Sequence, residues 1–309
     1  MTSAVIDLSD LDLFSAGGPW DAFATLRADD PVHWNEEASP NHGFWALTRH
    51  ADIVAVGRDD DTFSSEVGAV SIEELDEEQL EIRKSMLETD GARHWALRRL
   101  LQREFTASSL KGYETFLRGL TATTLDAAFA NERFDFVKAV SADYPIRVLV
   151  RLMDVPDEMG DQFIKWSNRL VGNTDPDYAD VLLDSEDSEE FRDLPFRSPA
   201  ALEVFAYGDQ LARERQGSDS SDLVSKLVNQ VPEDGVALSE RDYHNYFLLL
   251  VAAGNDSARE RAIEDRTLQS GWESRADPRN RLYSRLQNNT ENRKGSCLQV
   301  HSAWRHAVR

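Results

Sequence analysis

A mainly α-helical fold with a small β-rich subregion near the N-terminus is predicted by three features of the 309-residue chain. From Thr89 onward, segment after segment carries apolar residues three and four positions apart, the period of a helix with one buried face. The stretches that alternate like strands fall before residue 50, where turn-forming residues separate them. With 41% hydrophobic and 9% aromatic residues, the chain is long and apolar enough to bury a large core.

In chain order, WDAFATLRADD at 20–30 reads as a helix. VHWN at 32–35 and GFWALTR at 43–49 read as strands joined by EEASPNHG, and HADIVAVGRDD at 50–60 as another short helix. SIEELDEEQLEIRKSMLE at 71–88 is charged throughout and reads as a surface helical segment. LRRLLQREF, LKGYETFLRGLTATTLDAAFA, FVKAVSADYPIRVLVRLM, DEMGDQFIKWSNRLV, SPAALEVFAYGDQLARERQ and SDLVSKLVNQV follow as helices. PEDGVALS is a loop, and Ser239 with Asp242 three residues on forms the outline of a capping box opening the next helix. On that helix Tyr243, Tyr246, Phe247, Leu250, Val251 and Gly254 share one stripe, while Leu248, Leu249, Ala252 and Ala253 make the other faces apolar too, which predicts burial.

Composition limits the function. The N-terminus lacks a basic leader followed by an apolar core, so a cytoplasmic location is expected. The apolar run at 246–253 is too short to cross a membrane. A net charge of −22 argues against nucleic acid or an anionic membrane as partner. The single cysteine, Cys297, excludes a disulfide framework and any multi-cysteine metal site, and no other metal-ligand set is read from the spacing. The charge is uneven, because residues 264–309 hold nine Lys or Arg against five Asp or Glu and contain no Phe, Ile or Met.

Two stretches carry chemistry. Gly254 costs about 1 kcal/mol in a helix relative to Ala, so its place in an apolar helix predicts a close approach to the backbone. Asp256 and Ser257 follow at once, an acid and a hydroxyl at the edge of a dry environment. Upstream, in TDGARHWALRR, His94 and Arg98 stand four apart on one helix face and can present donors to an anion. Taken singly, each has an ordinary structural reading: helix packing for the first, a solvated helix face for the second.

Together and in this order they resemble a known family. AGNDSAR is similar to the A-G-x-[DE]-[TS] signature on the distal helix of the cytochrome P450 superfamily, and HWALR to its H-x-x-x-R pair. FDFVKAVSADYPIRVLVRLMDVP and SDLVSKLV resemble stretches of its soluble bacterial members, so that the resemblance runs from about Trp20 to Ile263. It implies a cytochrome P450-like domain over 1–263 that hydroxylates a hydrophobic small molecule, a steroid, terpenoid or fatty chain. Haem would be the cofactor, with electrons from NAD(P)H reaching it through ferredoxin reductase and ferredoxin. The resemblance further implies that His94 and Arg98 pair with the haem propionates and that Ala253 and Gly254 lie against the distal haem face. Asp256 and Ser257, serine standing where threonine is commoner, would deliver protons during dioxygen activation.

The pattern then fails. The family's cysteine lies in F-x-x-G-x-[HR]-x-C-x-G, but around Cys297 the corresponding positions are Thr290, Arg293, Gly295 and Gln299. Glu260, Glu264, Glu273 and Glu291 are followed three residues later by Ile263, Thr267, Ala276 and Lys294, so the E-x-x-R element is absent too. The expected fold is therefore C-terminally incomplete, with 264–309 an atypical basic tail, out of frame or otherwise replaced. Two other readings stand beside it: a genuine tail docking on the acidic body or a partner, and a non-catalytic helical remnant that only binds a hydrophobic ligand. Translation of the encoding DNA in the other two frames past the Ile263 codon should restore an E-x-x-R and a cysteine loop; if neither frame does, the frameshift reading is lost.

Overall fold

The computed structural model describes residues 6–10, 12–15, 19–37, 42–68, 75–131, 133–182 and 185–267, of which 255–267 are described as backbone only. They are predominantly helical with one two-stranded sheet, as the sequence predicts. The chain divides into two compact units, the first ending at Trp95 and the second beginning at Ala96.

The first unit opens with α1 (Asp12–Ser15) and α2 (Trp20–Asp29), followed by β1 (Val32–Asn35) and β2 (Phe44–Leu47) and by α3 (His50–Val56). The strands are antiparallel with Trp34 opposite Trp45, and these two indoles meet edge to face at 5.1 Å. On the other face of β1 lie two buried polar residues. The Asn35 amide oxygen accepts from the Leu8 amide at 2.7 Å and its nitrogen donates to Ser9 Oγ at 2.8 Å. His33 bridges Asp30 Oδ2 at 2.7 Å and the Ile6 carbonyl at 3.0 Å. Gly43 just before β2 has φ +82°, and a Cβ there would stand 2.4 Å from the Asn35 carbonyl, so glycine is required for the two strands to close. The charged stretch forms α4 (Glu77–Arg83), opened by a reciprocal Asp76–Gln79 capping box, and a 3₁₀ turn, Met86–Glu88.

The helix α5 (Gly91–Gln102) carries the chain from the first unit into the second. There α6 (Ala107–Gly112) and α7 (Glu114–Phe129) divide at Tyr113 what the sequence suggests as one helix. A π-helical turn, Val137–Ser141, leads into α8 (Asp143–Leu152), and a 3₁₀ turn, Asp157–Met159, into α9 (Gly160–Val171). The guanidinium of Arg147 locks that corner, donating to the Asp157 carbonyl at 2.6 Å and pairing with Asp161 at 2.9 Å and Asp143 at 3.0 Å. Gly160 leaves it room, since a Cβ there would lie 2.6 Å from Nη1. The connection onward is irregular and includes two successive left-handed residues, Phe196 (φ 58°) and Arg197 (φ 45°). Flanking bonds pin them: Asn173 donates to the Phe196 carbonyl at 3.0 Å, and Ser198 Oγ to the Arg169 carbonyl at 3.1 Å.

Three helices complete the unit: α10 (Ala200–Arg215), α11 (Leu223–Asn229) and α12 (Glu240–Thr267). Asp222 caps α11. Burial alone would raise its carboxyl, but the Ser225 hydroxyl at 2.6 Å and Ser225 amide at 2.9 Å outweigh that and hold it below the ordinary range. The predicted capping box of α12 is present, each partner's backbone amide donating to the other's side-chain oxygen at 3.1 Å. Ile146, Val150, Phe163, Leu170, Val204, Leu227, Phe247 and Val251 are fully buried, and they form the core where α8, α9, α10, α11 and α12 pack together.

One ion-pair cluster ties α9 to α10. Glu203 accepts from Arg169 at 2.8 Å and from the Trp166 indole at 2.8 Å, and Arg169 also donates to Asp180 at 2.6 Å. The Arg169 hydrogen bond is the chief reason that the Glu203 carboxyl lies below its ordinary value of 4.5. A lowered folded-state value contributes stability that is present above 4.5 and lost as the pH falls through the folded value. The side chain is 47% exposed, which holds the contribution to about 1 kcal/mol or less. Urea unfolding followed from pH 6 downward should show this loss below about pH 4.5 and a shallower one in Glu203→Gln.

Candidate functional site

The site is built on α12. Its first turns are anchored by aromatic rings: Phe247 meets Phe163 at 6.4 Å and stacks on Tyr243 at 6.1 Å, while Phe163 packs on Trp166 at 5.5 Å and on Tyr207 at 6.0 Å. Gly208 of α10 admits the Phe247 ring, which would stand 3.1 Å from a Cβ, and its carbonyl accepts from the Tyr243 hydroxyl at 2.8 Å. Burial pushes the Tyr243 phenol far above its ordinary value, reinforced by the negative charge of Asp209 and Asp222. It therefore stays a neutral donor.

A second tyrosine fastens α12 to the segment that carries Arg98. The buried Tyr246 hydroxyl donates to the Leu97 carbonyl at 3.2 Å. Burial raises the Tyr246 phenol strongly, and the cationic Arg98 opposes the rise. Arg98 itself is exposed on α5, on the turn after His94. The half-buried His94 ring is held by Nδ1 at 3.0 Å from the Met86 carbonyl and stands edge to face with Trp95 at 5.7 Å. Because a carbonyl only accepts, Nδ1 carries a proton, and Nε2 can donate to an anion only when the ring is cationic.

Further along α12 the burial expected all round the helix is one-sided. Val251 and Ala252 are buried, Leu249, Leu250 and Gly254 are half-buried, and Ala253 is exposed. Helical spacing sets Leu249, Leu250 and Ala253 on one face, an apolar strip on an otherwise packed helix. The close approach predicted at Gly254 comes from α8: a Cβ on Gly254 would be 3.1 Å from Leu149 Cδ2. On the buried side Ser167 of α9 places its hydroxyl 3.4 Å from the Ala252 carbonyl, the acceptor that serves the amide of residue 256 in a regular helix. The helix continues through 256 and 257, but the side chains of Asp256 and Ser257 lie outside the described residues, as does Cys297.

Sequence reasoning named Arg98, His94, Ala253 and Gly254. It missed Tyr246 as the link to α5, Leu149 as the neighbour of Gly254, and Ser167. Tyr246 was visible only as one member of an apolar stripe, and nothing local marks Leu149 or Ser167, whose partners lie about a hundred residues away. As a chemical surface, the strip around Ala253 suits the flat apolar face of a planar group, and the cation at Arg98 suits an anionic substituent on such a group. Among the described residues that fit is limited to one face and one edge, because no cysteine for an axial thiolate lies among them.

Comparisons with known proteins bear on the fold and the sequence as a whole. The chain is 30% identical over 252 residues to a steroid C26-monooxygenase of Mycolicibacterium smegmatis, covering 78% of this chain and 55% of that protein. It is 30% identical over 246 residues to a methyl-branched lipid omega-hydroxylase of Mycobacterium bovis, covering 77% and 54%. The chain thus spans about half the length of these curated relatives. Among solved structures, a Mycobacterium marinum cytochrome P450 in complex with pseudoionone superimposes with a TM-score of 0.74 at 27% identity, covering 94% of this chain and 69% of that one. The structure of a second such protein, from Novosphingobium aromaticivorans, matches in fold with a TM-score of 0.69 at 22% identity, covering 89% and 64%. No protein-family model matches the chain.

The contact at Gly254 is testable without any cofactor. Gly254→Val should destabilise the protein by about 1–3 kcal/mol through overpacking against Leu149. Leu149→Ala in the same chain should recover part of that loss, giving a coupling in a double-mutant cycle measured by urea unfolding. Strict additivity would remove Leu149 as the neighbour that Gly254 accommodates.

Proposed function

This chain is a relative of the cytochromes P450 along most of its own length, and we propose that its sequence is that of a haem-dependent monooxygenase hydroxylating a hydrophobic small molecule. The observation that carries the reading is the partly open apolar strip of Leu249, Leu250 and Ala253 on α12, beside α5, whose Leu97 carbonyl accepts from Tyr246 and whose next residue is Arg98.

Arg98, with His94 when cationic, would hold the two propionates of haem. Ala253 would present a small side chain to a flat ring, with Leu249 and Leu250 excluding water beside it, while Gly254 lets Leu149 pack behind that stretch of α12. Asp256 and Ser257 follow one turn after Ala252 and Ala253, an acid and a hydroxyl suited to holding and passing protons. Haem, when bound, supplies dioxygen activation and insertion of one oxygen atom into a C–H bond. Electrons would come from NAD(P)H by way of ferredoxin reductase and ferredoxin, and the acidic surface suits a partner with a basic face. The substrate class favoured by the relatives' names is a steroid or a methyl-branched lipid, with the α12 stripe among its contacts.

The surroundings of Cys297 do not match the family's cysteine loop, so the chain should take up haem weakly. Reconstituted with haemin, reduced and exposed to carbon monoxide, it should give no thiolate-type Soret band, and the appearance of that band would refute the expectation of weak uptake. A chimera carrying the C-terminal part of the Mycolicibacterium smegmatis relative in place of residues 264–309 should become red, show the thiolate-type band and respond spectrally to an added steroid or branched lipid. A folded, colourless chimera that still binds these ligands would favour a binding module instead.

A further inference from the structure

We propose that Asp209, Glu240 and His244 form a surface site for a divalent transition-metal ion of the zinc class, which staples α10 to the start of α12. Their donor atoms, one imidazole nitrogen and two carboxylate oxygens, all lie within 4.8 Å of one another. Neither the resemblance nor the relatives' names point to these residues, and the site lies outside the strip at Ala253. His244 precedes Ala253 by nine residues, about 14 Å along the helix axis.

The placement follows from helix geometry. Glu240 and His244 stand four apart on α12, so their side chains leave the same face on successive turns. Asp209 faces them from α10, its Oδ1 at 2.6 Å from His244 Nε2. The imidazole cannot swing freely, because it lies flat on Phe205 at 4.7 Å with an interplanar angle of 13°. Phe205 is itself four residues before Asp209, so α10 supplies both the platform for the ring and the carboxylate in front of it.

The donor set selects the ion. With metal–ligand bonds of roughly 2.0–2.2 Å, neighbouring donors in a coordination shell sit about 3–3.5 Å apart. From 2.6 Å the His244–Asp209 pair needs to open by about half an ångström to an ångström as the ion replaces the shared proton, and the exposed Glu240 carboxylate swings in to complete three protein ligands. Water fills the remaining positions. Mixed imidazole and carboxylate ligation suits Zn²⁺ and its first-row neighbours, whereas Ca²⁺ and Mg²⁺ prefer shells made of oxygen alone. A chain of net charge −22 adds a general attraction for cations, and the rigid ring makes this particular cluster selective. A His–Asp hydrogen bond beside an unrelated glutamate is the alternative.

Zinc chloride titrated into the metal-free full chain should raise its thermal unfolding midpoint, and EDTA should reverse the rise. Magnesium and calcium chloride at the same concentration should not produce it. Glu240→Gln removes a solvent-exposed ligand without disturbing the His244–Asp209 pair, so the protein keeps its fold while zinc affinity by calorimetry falls roughly tenfold or more. His244→Gln should abolish the shift. An absent zinc effect, an equal effect of calcium, or an affinity unchanged in Glu240→Gln would each overturn the site. None of these readouts needs haem, so their failure leaves the monooxygenase reading untouched.

Discussion

The close approach of α10 and α12 at Gly208 is the contact on which the second unit depends. The missing side chain at Gly208 lets the Phe247 ring sit close against α10, and Phe247 in turn presents an edge to Phe163, around which Trp166 and Tyr207 gather. Because these rings come from three helices, α12 is held by its first turns with high precision. Its later turns can then show a bare apolar face at Ala253 without collapsing onto the neighbouring helices. The tyrosine hydroxyls finish the placement: Tyr243 bonds α10 and Tyr246 bonds α5, each at a carbonyl that would otherwise be buried without a second partner.

Much of this was legible in the sequence where a local signal existed. Period fixed the helices from α5 to α12, alternation fixed β1 and β2, and the Ser239–Asp242 spacing announced the start of α12, because each rests on backbone geometry within a few residues. What escaped was decided by distant partners. Tyr113 interrupts an apparently continuous period. The Val137–Ser141 turn widens before Pro145, whose ring cannot donate to the helix. The all-apolar character of α12 reads as burial on every side, yet the strip at Leu249, Leu250 and Ala253 stays partly open; apolarity records what a face is meant to touch and does not say that protein supplies it. Gly254 was singled out correctly as a point of approach, but which atom approaches is a property of Leu149.

The candidate site shows the same division. The likeness of HWALR and AGNDSAR to known motifs drew attention to α5 and α12, and the fold matches solved cytochromes P450 across most of this chain, while the named monooxygenase relatives extend well beyond what the chain covers. Motif and fold therefore point to the same family. The family's chemistry also rests on a cysteine environment, and the sequence around Cys297 departs from it at Thr290, Arg293, Gly295 and Gln299.

The anchoring of residues 6–9 reaches further than its size suggests. Nothing in that opening segment pairs with the sheet through a backbone ladder; it is gripped instead by the side chains of His33 and Asn35. A shortened chain starting after Ser9 would strip the buried Asn35 amide of its partners beneath the Trp34–Trp45 ribbon and leave the His33 imidazole with Asp30 alone. Trimming the front end, ordinarily the safest edit in a protein, would here act like a polar substitution in the interior.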